Sequence, residues 1–577
     1  MANEPATASP HIAFLASVFT FHSFAIMVKV LLCPFFFAFF FPITAFAQTT
    51  PSVPDYGPAI RALEEGAYAE ALEKLDKMIS MGFYDDGVYK YRGMARFGLQ
   101  DFKGAAEDLD KVKQDGDSLV YGLLGKCKYQ FGEWEASKFF LEKATALGYH
   151  EGKAHLDLGY LYFNAHQYKE AVGQLNEAER AGVAEVGLYK ARGIAAVHSG
   201  MAELAIGDLT HVLNNGGDSL EVYENLGMAY AVKNKFQEGL PYLQKADSLG
   251  STNNETYFLL GKALYENKKY GQSIGAYSKA IGLHYPGPDG YIGRGQAKMM
   301  AGLVKESLSD FDQAIKLDRE NTHAFRERVA ANLKLEAWAP IVTDLAILNA
   351  LGNFEVSDWG VLSEAKYALG QYGPALEEVN AALDNGQAFY QINGVKHSFY
   401  VQKGRCLVAL KRYGPAILAF DQVQGPGENP LALLVGRAQA YAALGQFENA
   451  ITDLQKAQLL YPGHPDLYYN SAIIKEEAGD FEAALLDYGQ ALTLNPQDAA
   501  AYFGRGNVKA RKGDLNAAIL DLDKAITLDS INGNYYKVRA NFLYQANDKD
   551  KACFDWRKAV EFGEQKARFQ IDRYCNK

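Results

Sequence analysis

The sequence predicts an all-α chain built as an array of antiparallel helix pairs, and two observations carry that prediction. The first is a period. Gly506, Ala518 and Ala525 recur 34 residues earlier as Ala472, Ala484 and Ala491, then as Ala438, Ala450 and Ala457, then as Gly404, Ala416 and Val423. A seven-residue insertion separates these from Ser363, beyond which the step resumes through Val329, Gly295, Gly261, Gly227, Gly193, Gly159 and Gly125. One stride of 32 reaches Gly93 and another of 34 reaches Ala59, while Ala540 closes the series forward, making fifteen units. Self-similarity at a fixed period of this length marks a repeat architecture. The second observation is what fills the columns. The first holds Gly, Ala or Ser in fourteen of fifteen units, and the second, from Ala71 to Ala552, is small except at Ile341. Two small residues on facing helices let the backbones approach closely. Four residues after the second column comes a large side chain, such as Leu175, Tyr277, Phe311, Phe420 or Trp556. The i, i+4 step puts it on the same helix face, where it fills the space between helices.

Composition narrows the function classes. The 577 residues carry 58 Lys+Arg against 69 Asp+Glu, a net charge of −11. An acidic chain without a basic block lacks the clustered cations that phosphate neutralisation needs, so nucleic acid is excluded as a partner. With 22% charged and 48% hydrophobic residues the chain is globular rather than disordered.

In chain order, the first element is the apolar tract from Ile12 to Ala47. Met27-Val28-Lys29, the apolar Val30 to Ala45 and Ala45-Phe46-Ala47-Gln48 follow the order of a secretory signal peptide. Residues 1–26 contain no Lys or Arg and read as a gene-model extension, with translation starting at Met27. Residues 27–47 are the expected signal peptide. An uncleaved membrane anchor is the alternative; a lipoprotein is disfavoured because Leu32 precedes Cys33 where a small residue is wanted. No later segment is apolar enough to span a bilayer, so none remains after cleavage. Export to the periplasm or medium follows. Units 1–10 then occupy residues 52–382, an insertion 383–396, units 11–15 residues 397–566, and a capping helix 567–577. Gly132, Gly200, Gly302, Gly370, Gly445, Gly479 and Gly513 mark turns between paired helices. Unit 9 is the most degenerate, with Val329, Ile341 and Leu348 in all three small columns. Pro340, Pro374 and Pro415 share one register near the start of a second helix, where a missing N–H costs little. In the insertion, Asn393-Gly394 between apolar residues signals a hairpin; a plain surface loop is the other reading.

Gly506, Ala518, Ala525 and, one unit earlier, Pro496 stand where tetratricopeptide repeats have their small, small, small and proline positions, and the chain resembles an array of such repeats. The early aromatic is patchy (Trp359, Tyr468, Tyr502 and Tyr536 fit) and the terminal proline is mostly absent. The resemblance implies a right-handed superhelical solenoid, with helix A of each unit lining a groove through positions 2, 5, 9 and 12, counting the first column as 8. Those positions supply Lys90, Lys126, Lys153 and Lys190, interleaved with Phe97, Tyr129, Tyr160 and Phe163. Such a surface suits an extended acidic or carboxylate-bearing peptide; ordinary solvated lysines and packed rings are the plainer reading. A second patch joins Phe503, Asn507, Lys537 and Asn541, with Arg511 beside it. Lys537 and Asn541 resemble the clamp by which some of these proteins hold a C-terminal carboxylate.

No enzyme site emerges. The eleven histidines are scattered, and the five-residue step from His150 to His155 puts them on different helix faces. Gly293-Arg294-Gly295 offers two glycines of a phosphate loop, but Gly295 already belongs to the small column. Carboxylates such as Asp521 and Asp523 read as solvated faces. No cofactor or metal is expected. Cys127 and Cys406 lie in units 3 and 11, too far apart to meet. Cys553 and Cys575 are equidistant from 564, and a turn at Gly563-Glu564 would bring them level on facing helices, as a disulfide needs. The expected function is a non-catalytic exported scaffold or adaptor for a protein or peptide. Two alternatives stay open: an envelope-assembly factor for polysaccharide or outer-membrane precursors, and a regulatory subunit of a separately encoded enzyme.

Overall fold

The computed structural model describes residues 55–112, 116–423 and 430–575. The expected signal segment and the 1–26 extension lie outside these. The chain divides into two compact bodies, one ending at Val112 and one beginning at Lys113. The first holds repeats 1 and 2, four helices from Gly57–Glu64 to Phe102–Leu109. The second holds repeats 3 to 15, thirteen helix pairs from Ser118–Gln130 to Lys549–Glu561, interrupted by one β-hairpin and closed by a short helix. Helix A and helix B below denote the first and second helix of each repeat.

The columns read from sequence are the contacts between the paired helices. A Cβ placed on Gly295 would lie 2.5 Å from the Phe311 ring, and one on Gly159 would lie 2.7 Å from Leu175. The first column is therefore small because the large side chain sixteen residues on sits directly against its backbone. In two of the three second-column serines the hydroxyl donates to the facing carbonyl, Ser137 to Gly125 at 2.8 Å and Ser273 to Gly261 at 2.7 Å, while Ser307 donates back to Val304 on its own helix at 2.6 Å. This satisfies a buried polar group that alanine would not bring. The core of the second body is a row of local clusters, each shared by neighbouring repeats; Ile194, Leu209, Val212 and Leu226 join repeats 5 and 6. Degenerate repeat 9 packs its large column residues together, Ile341 and Leu348 fully buried beside Val329 and Val361.

Every helix A ends in a left-handed residue seven places after the first column. Eight of the fifteen are glycine, from Gly66 to Gly513, and seven are Gln100, His166, Asn234, Lys268, Glu336, Lys411 and Asn547. The following N–H bonds back into the helix, as from Glu133 to the Lys128 carbonyl at 3.0 Å, closing the end in the Schellman manner. The fold imposes this backbone whether or not the residue favours it.

In the insertion, β1 (Phe389–Ile392) pairs antiparallel with β2 (Val395–Ser398). Asn393 and Gly394 both have positive φ, 51° and 78°, as a two-residue turn of this hand requires. The hairpin extends past the expected boundary at 396, because Ser398 both ends β2 and caps helix A of repeat 11 by accepting from Tyr400 N. Tyr390 is 5% exposed, and its ring occupies the space where a Cβ on Gly360 would sit, 2.2 Å away. At the C-terminus, a 3-10 turn at Gln565–Ala567 leads into a helix over Arg568–Tyr574, shorter than the expected 567–577.

Candidate binding face and hairpin pocket

Helix A lysines do not form a free cationic row. Lys126 bonds Glu151 at 2.7 and 2.8 Å, Lys190 pairs with Glu221 at 2.7 Å, and Lys153 lies 3.7 Å from Glu185. Each glutamate belongs to the next repeat, so these pairs cross from repeat to repeat and cancel the charge expected to draw an acidic ligand. Lys90, with Phe97, lies in the first body, on the helix Asp86–Gly98. The aromatics are also accounted for within the chain. Phe97 meets Phe102, Tyr129 meets Trp134 and Phe163 meets Tyr168, all edge-on with centroids 5.2 to 6.1 Å apart. These rings brace the turn between helices A and B; Tyr265–Tyr270 and Tyr367–Tyr372 repeat the arrangement. Tyr160 packs into the Leu156 and Leu175 cluster, and burial pushes its hydroxyl up to about 12.

Residues of the C-terminal patch also have partners within the chain. Lys537 bonds Glu564 at 2.9 Å, and Asn541 accepts from the Trp556 indole N–H at 3.0 Å, so both clamp-like residues have such partners. Arg511 lies 3.6 Å from Glu476, Phe503 packs on Tyr535, and Asn507 is half-buried on helix A of repeat 14. Cys553 and Cys575 are joined in a disulfide, with Cα atoms 5.6 Å apart. Cys127 and Cys406 are buried thiols, and burial pushes Cys406 up to about 12.

Two further readings change. His150 and His155 do come together, their rings stacked at 6.2 Å, because His150 precedes the helix and helical spacing does not govern it. His155 Nδ1 meets Gln174 at 2.8 Å, and no cluster suited to a metal occurs among the described residues. Asp521 is not a solvated face, and Asp523, though half-exposed, is paired. Asp521 is 5% exposed and accepts from Arg505 through both oxygens at 2.8 and 2.9 Å, while Asp523 accepts from Arg539 at 2.7 Å. They belong to a motif the column reading passed over: Arg just before the first column and Asp sixteen residues later. It recurs as Arg92–Asp108, Arg192–Asp208, Arg294–Asp310, Arg328–Asp344, Arg437–Asp453, Arg505–Asp521 and Arg539–Asp555. In most, Nη1 reaches back to helix B of the preceding repeat, to Asp312 from Arg328 and to Asp421 from Arg437. A signal existed in the sequence. Where the arginine position is leucine, as at Leu124, Leu158, Leu226 and Leu260, the partner position is Phe140, Gln174, Tyr242 or Ala276 instead of Asp.

The face is interrupted at the hairpin by a cavity of about 270 Å³, lined by repeats 10 and 11, the hairpin residues Tyr390, His397 and Ser398, and Ala432 of repeat 12. Arg405 donates Nη1 to both Glu364 oxygens at 3.0 Å and to Gln402 Oε1 at 2.7 Å, and its guanidinium lies 4.4 Å over the Tyr367 ring. Glu364 and the neighbouring hydroxyl of Tyr390 complete one wall, with burial, and then Glu364, raising the Tyr390 pKa. Gln402 is 1% exposed and its Nε2 has no hydrogen-bond partner.

Comparison with known proteins agrees with this architecture. A tetratricopeptide repeat profile matches residues 431–464 and 499–532, and a TPR repeat profile matches 476–513. The chain is thus an array of antiparallel helix pairs, among which tetratricopeptide repeats are detected within residues 431–532. No curated protein matches it. Among solved structures, it is similar to MamA at 24% identity, over 29% of this chain and 96% of that one, with a TM-score of 0.27. The APC/C hetero-tetramer Cut9–Hcn1 aligns at 13% identity over 78% and 95%, TM-score 0.30. Naa15/Naa10 bound to HypK-THB aligns at 11% over 85% and 77%, TM-score 0.29. No helix of the described residues is long and apolar enough to cross a membrane.

Proposed function

We propose that the chain is a non-catalytic scaffold that holds a protein or peptide partner along the helix A face of its second body. One observation carries this reading. Thirteen helix pairs present the same helix A positions in succession, and their cores are local, so the chain's main product is a long surface. The glutamate partners of Lys126, Lys153 and Lys190 make that surface one of mixed charge. It suits a partner with both signs of charge better than the purely acidic peptide expected from the lysines alone. Export is part of the proposal: the Met27 to Ala47 pattern supports it, with the mature chain beginning at Gln48.

Crosslinking capture with the full chain, followed by mass spectrometry, tests the reading. One enriched protein partner is the expected result. Enrichment of glycan would favour the envelope-assembly alternative, and a stoichiometric enzyme whose activity depends on this chain would favour the regulatory one. Either would overturn the scaffold reading. N-terminal sequencing of native protein should return Gln48; residues from 1–26 would refute the start at Met27.

A further inference from the structure

Repeat 7 has small or apolar residues where its neighbours carry the Arg–Asp pair, and a cavity of about 380 Å³ lies there. In repeats 5, 8 and 9 the guanidinium of that pair lies 5.4 to 5.6 Å over the ring of Tyr189, Tyr291 or Phe325. It also reaches Asn176, Ser278 or Asp312 on helix B of the preceding repeat. In repeat 7 the corresponding residues are Tyr257 for the ring, Leu260 for the arginine, Ala276 for the aspartate and Gln244 for the preceding helix B. All four line the cavity. A Cβ placed on Gly275, which also lines it, would meet no atom within 4 Å.

Two repeats with leucine in place of the arginine show what fills the position instead. Repeat 3 has Leu124 with Phe140, whose ring stacks on Tyr121 at 6.2 Å. Repeat 6 has Leu226 with Tyr242, whose ring stacks on Tyr223 at 6.4 Å and on Tyr230 at 5.5 Å. Tyr223, Leu226 and Tyr230 correspond to Tyr257, Leu260 and Leu264 of repeat 7, and these three line the cavity. Only the counterpart of Tyr242 is missing, because that position is Ala276. The space is ample for a ring, since a cavity of about 150 Å³ holds benzene.

Charge decides against an ion. Lys279 and Asp247 pair at 2.8 Å on the wall, and Tyr257 donates its hydroxyl to the same carboxylate at 2.9 Å. An incoming guanidinium would find alanine in place of its aspartate and an ammonium beside it. A carboxylate would meet Lys279 only beside Asp247, and would shed its water against Leu260 and Leu264. A neutral ring meets neither penalty. Lys279 Nζ lies 4.9 Å from the Tyr257 ring centroid, yet in repeat 2 the Tyr89 ring holds Lys111 at 4.9 Å and Arg92 at 5.8 Å together. The lysine therefore leaves room for a second neighbour. At the rim, Gln244 and Gln272 are exposed, and their amides match the N–H and C=O of a peptide backbone.

We propose that this cavity binds the aromatic side chain of a phenylalanine or tyrosine presented by a polypeptide partner. The site is built by helix B of repeat 6 and both helices of repeat 7, so it goes beyond the helix A face and does not rest on it.

Saturation-transfer NMR on the full chain tests it with N-acetylphenylalanine methylamide, N-acetylleucine methylamide and benzyl alcohol. The phenylalanine probe should bind, and the leucine probe about fivefold more weakly, because it has no ring to stack. Benzyl alcohol has the ring without backbone amides and should bind about threefold more weakly. Ala276→Tyr copies repeat 6 and fills the cavity from within, so the phenylalanine probe should no longer bind. Leu260→Arg with Ala276→Asp rebuilds the Arg–Asp pair in the same space; it should have the same effect, and it serves if the tyrosine variant fails to fold. No binding of the phenylalanine probe, equal binding of the leucine probe, or binding that survives either filled cavity would overturn the proposal. Benzyl alcohol bound as tightly as the phenylalanine probe would overturn the polypeptide as the source of the ring.

Discussion

Repeats 4 and 5 each bury an aspartate, and they treat it differently. Asp208 in repeat 5 is 6% exposed and is gripped by Arg192, Nε to one oxygen at 2.7 Å and Nη2 to the other at 2.9 Å. Burial raises its pKa, but Arg192 pulls against that rise. Asp157 in repeat 4 is 4% exposed and has Leu158 beside it where repeat 5 has its arginine. Lys153 and Lys126 stand near but face Glu185 and Glu151, so burial dominates and pushes Asp157 up to about 6. Two lysine point charges at a distance do not replace one fork in contact. In this array the fork is also a rivet between repeats, since Arg192 Nη1 reaches Asn176 and Glu179 of the preceding helix B.

The largest expected effect comes from breaking the fork. Arg192→Leu strands Asp208 and should cost about 3–5 kcal/mol, read as lost amide protection across repeats 4 to 6. Adding Asp208→Phe copies the Leu124 and Phe140 pair of repeat 3 and should recover most of the loss. If the double variant is no better than the single, the co-variation of these columns has another cause.

Next is Asp157→Asn. A carboxyl whose folded pKa lies above its ordinary value holds its proton more tightly when folded. Wild-type stability therefore falls as pH rises between about 4 and about 6. The asparagine variant should be more stable than wild type by about 1–3 kcal/mol at pH near 8, the gap closing below pH near 4. Urea denaturation at the two pH values checks the sign.

A smaller effect belongs to the turns. Lys268 sits at φ 59° where Gly302, one repeat later, sits at 82°. Lys268→Gly should stabilise by about 1 kcal/mol and Gly302→Ala should destabilise by a similar amount, measured as opposite shifts in midpoint. Smallest is Lys153→Ala. That pair is half-exposed at 3.7 Å, and its loss should change stability by less than about 0.5 kcal/mol.

The fold was legible in the sequence because steric columns repeat. Gly295 against Phe311 needs a small residue and a large one sixteen apart, and that pairing recurs in fourteen of the fifteen units, repeat 9 with Val329 excepted. The candidate face was legible only in position. Lys126, Lys153 and Lys190 lie on helix A as the resemblance implies, but their charge depends on Glu151, Glu185 and Glu221 in the following repeats. A single-repeat reading cannot count partners 25 to 32 residues away. The Arg–Asp rivets escaped for a different reason: they occupy fewer than half of the repeats, and Asp521 looks like any exposed acid until its arginine is found. The hairpin pocket had only Asn393-Gly394 to announce it. Gln402 and Arg405 gained their meaning when Tyr390 folded over Gly360.

The bond between Cys553 and Cys575 gives the array a direction. A row of repeats that touch only their neighbours unravels from whichever end opens more easily. Here the last helix B and the terminal helix are tied by a covalent link that thermal opening does not break. Loss of structure should begin at the far end and travel toward the C-terminus, one repeat after another. A protease acting on the partly opened chain would leave fragments of many lengths that share one terminus, and a reductant would remove that bias.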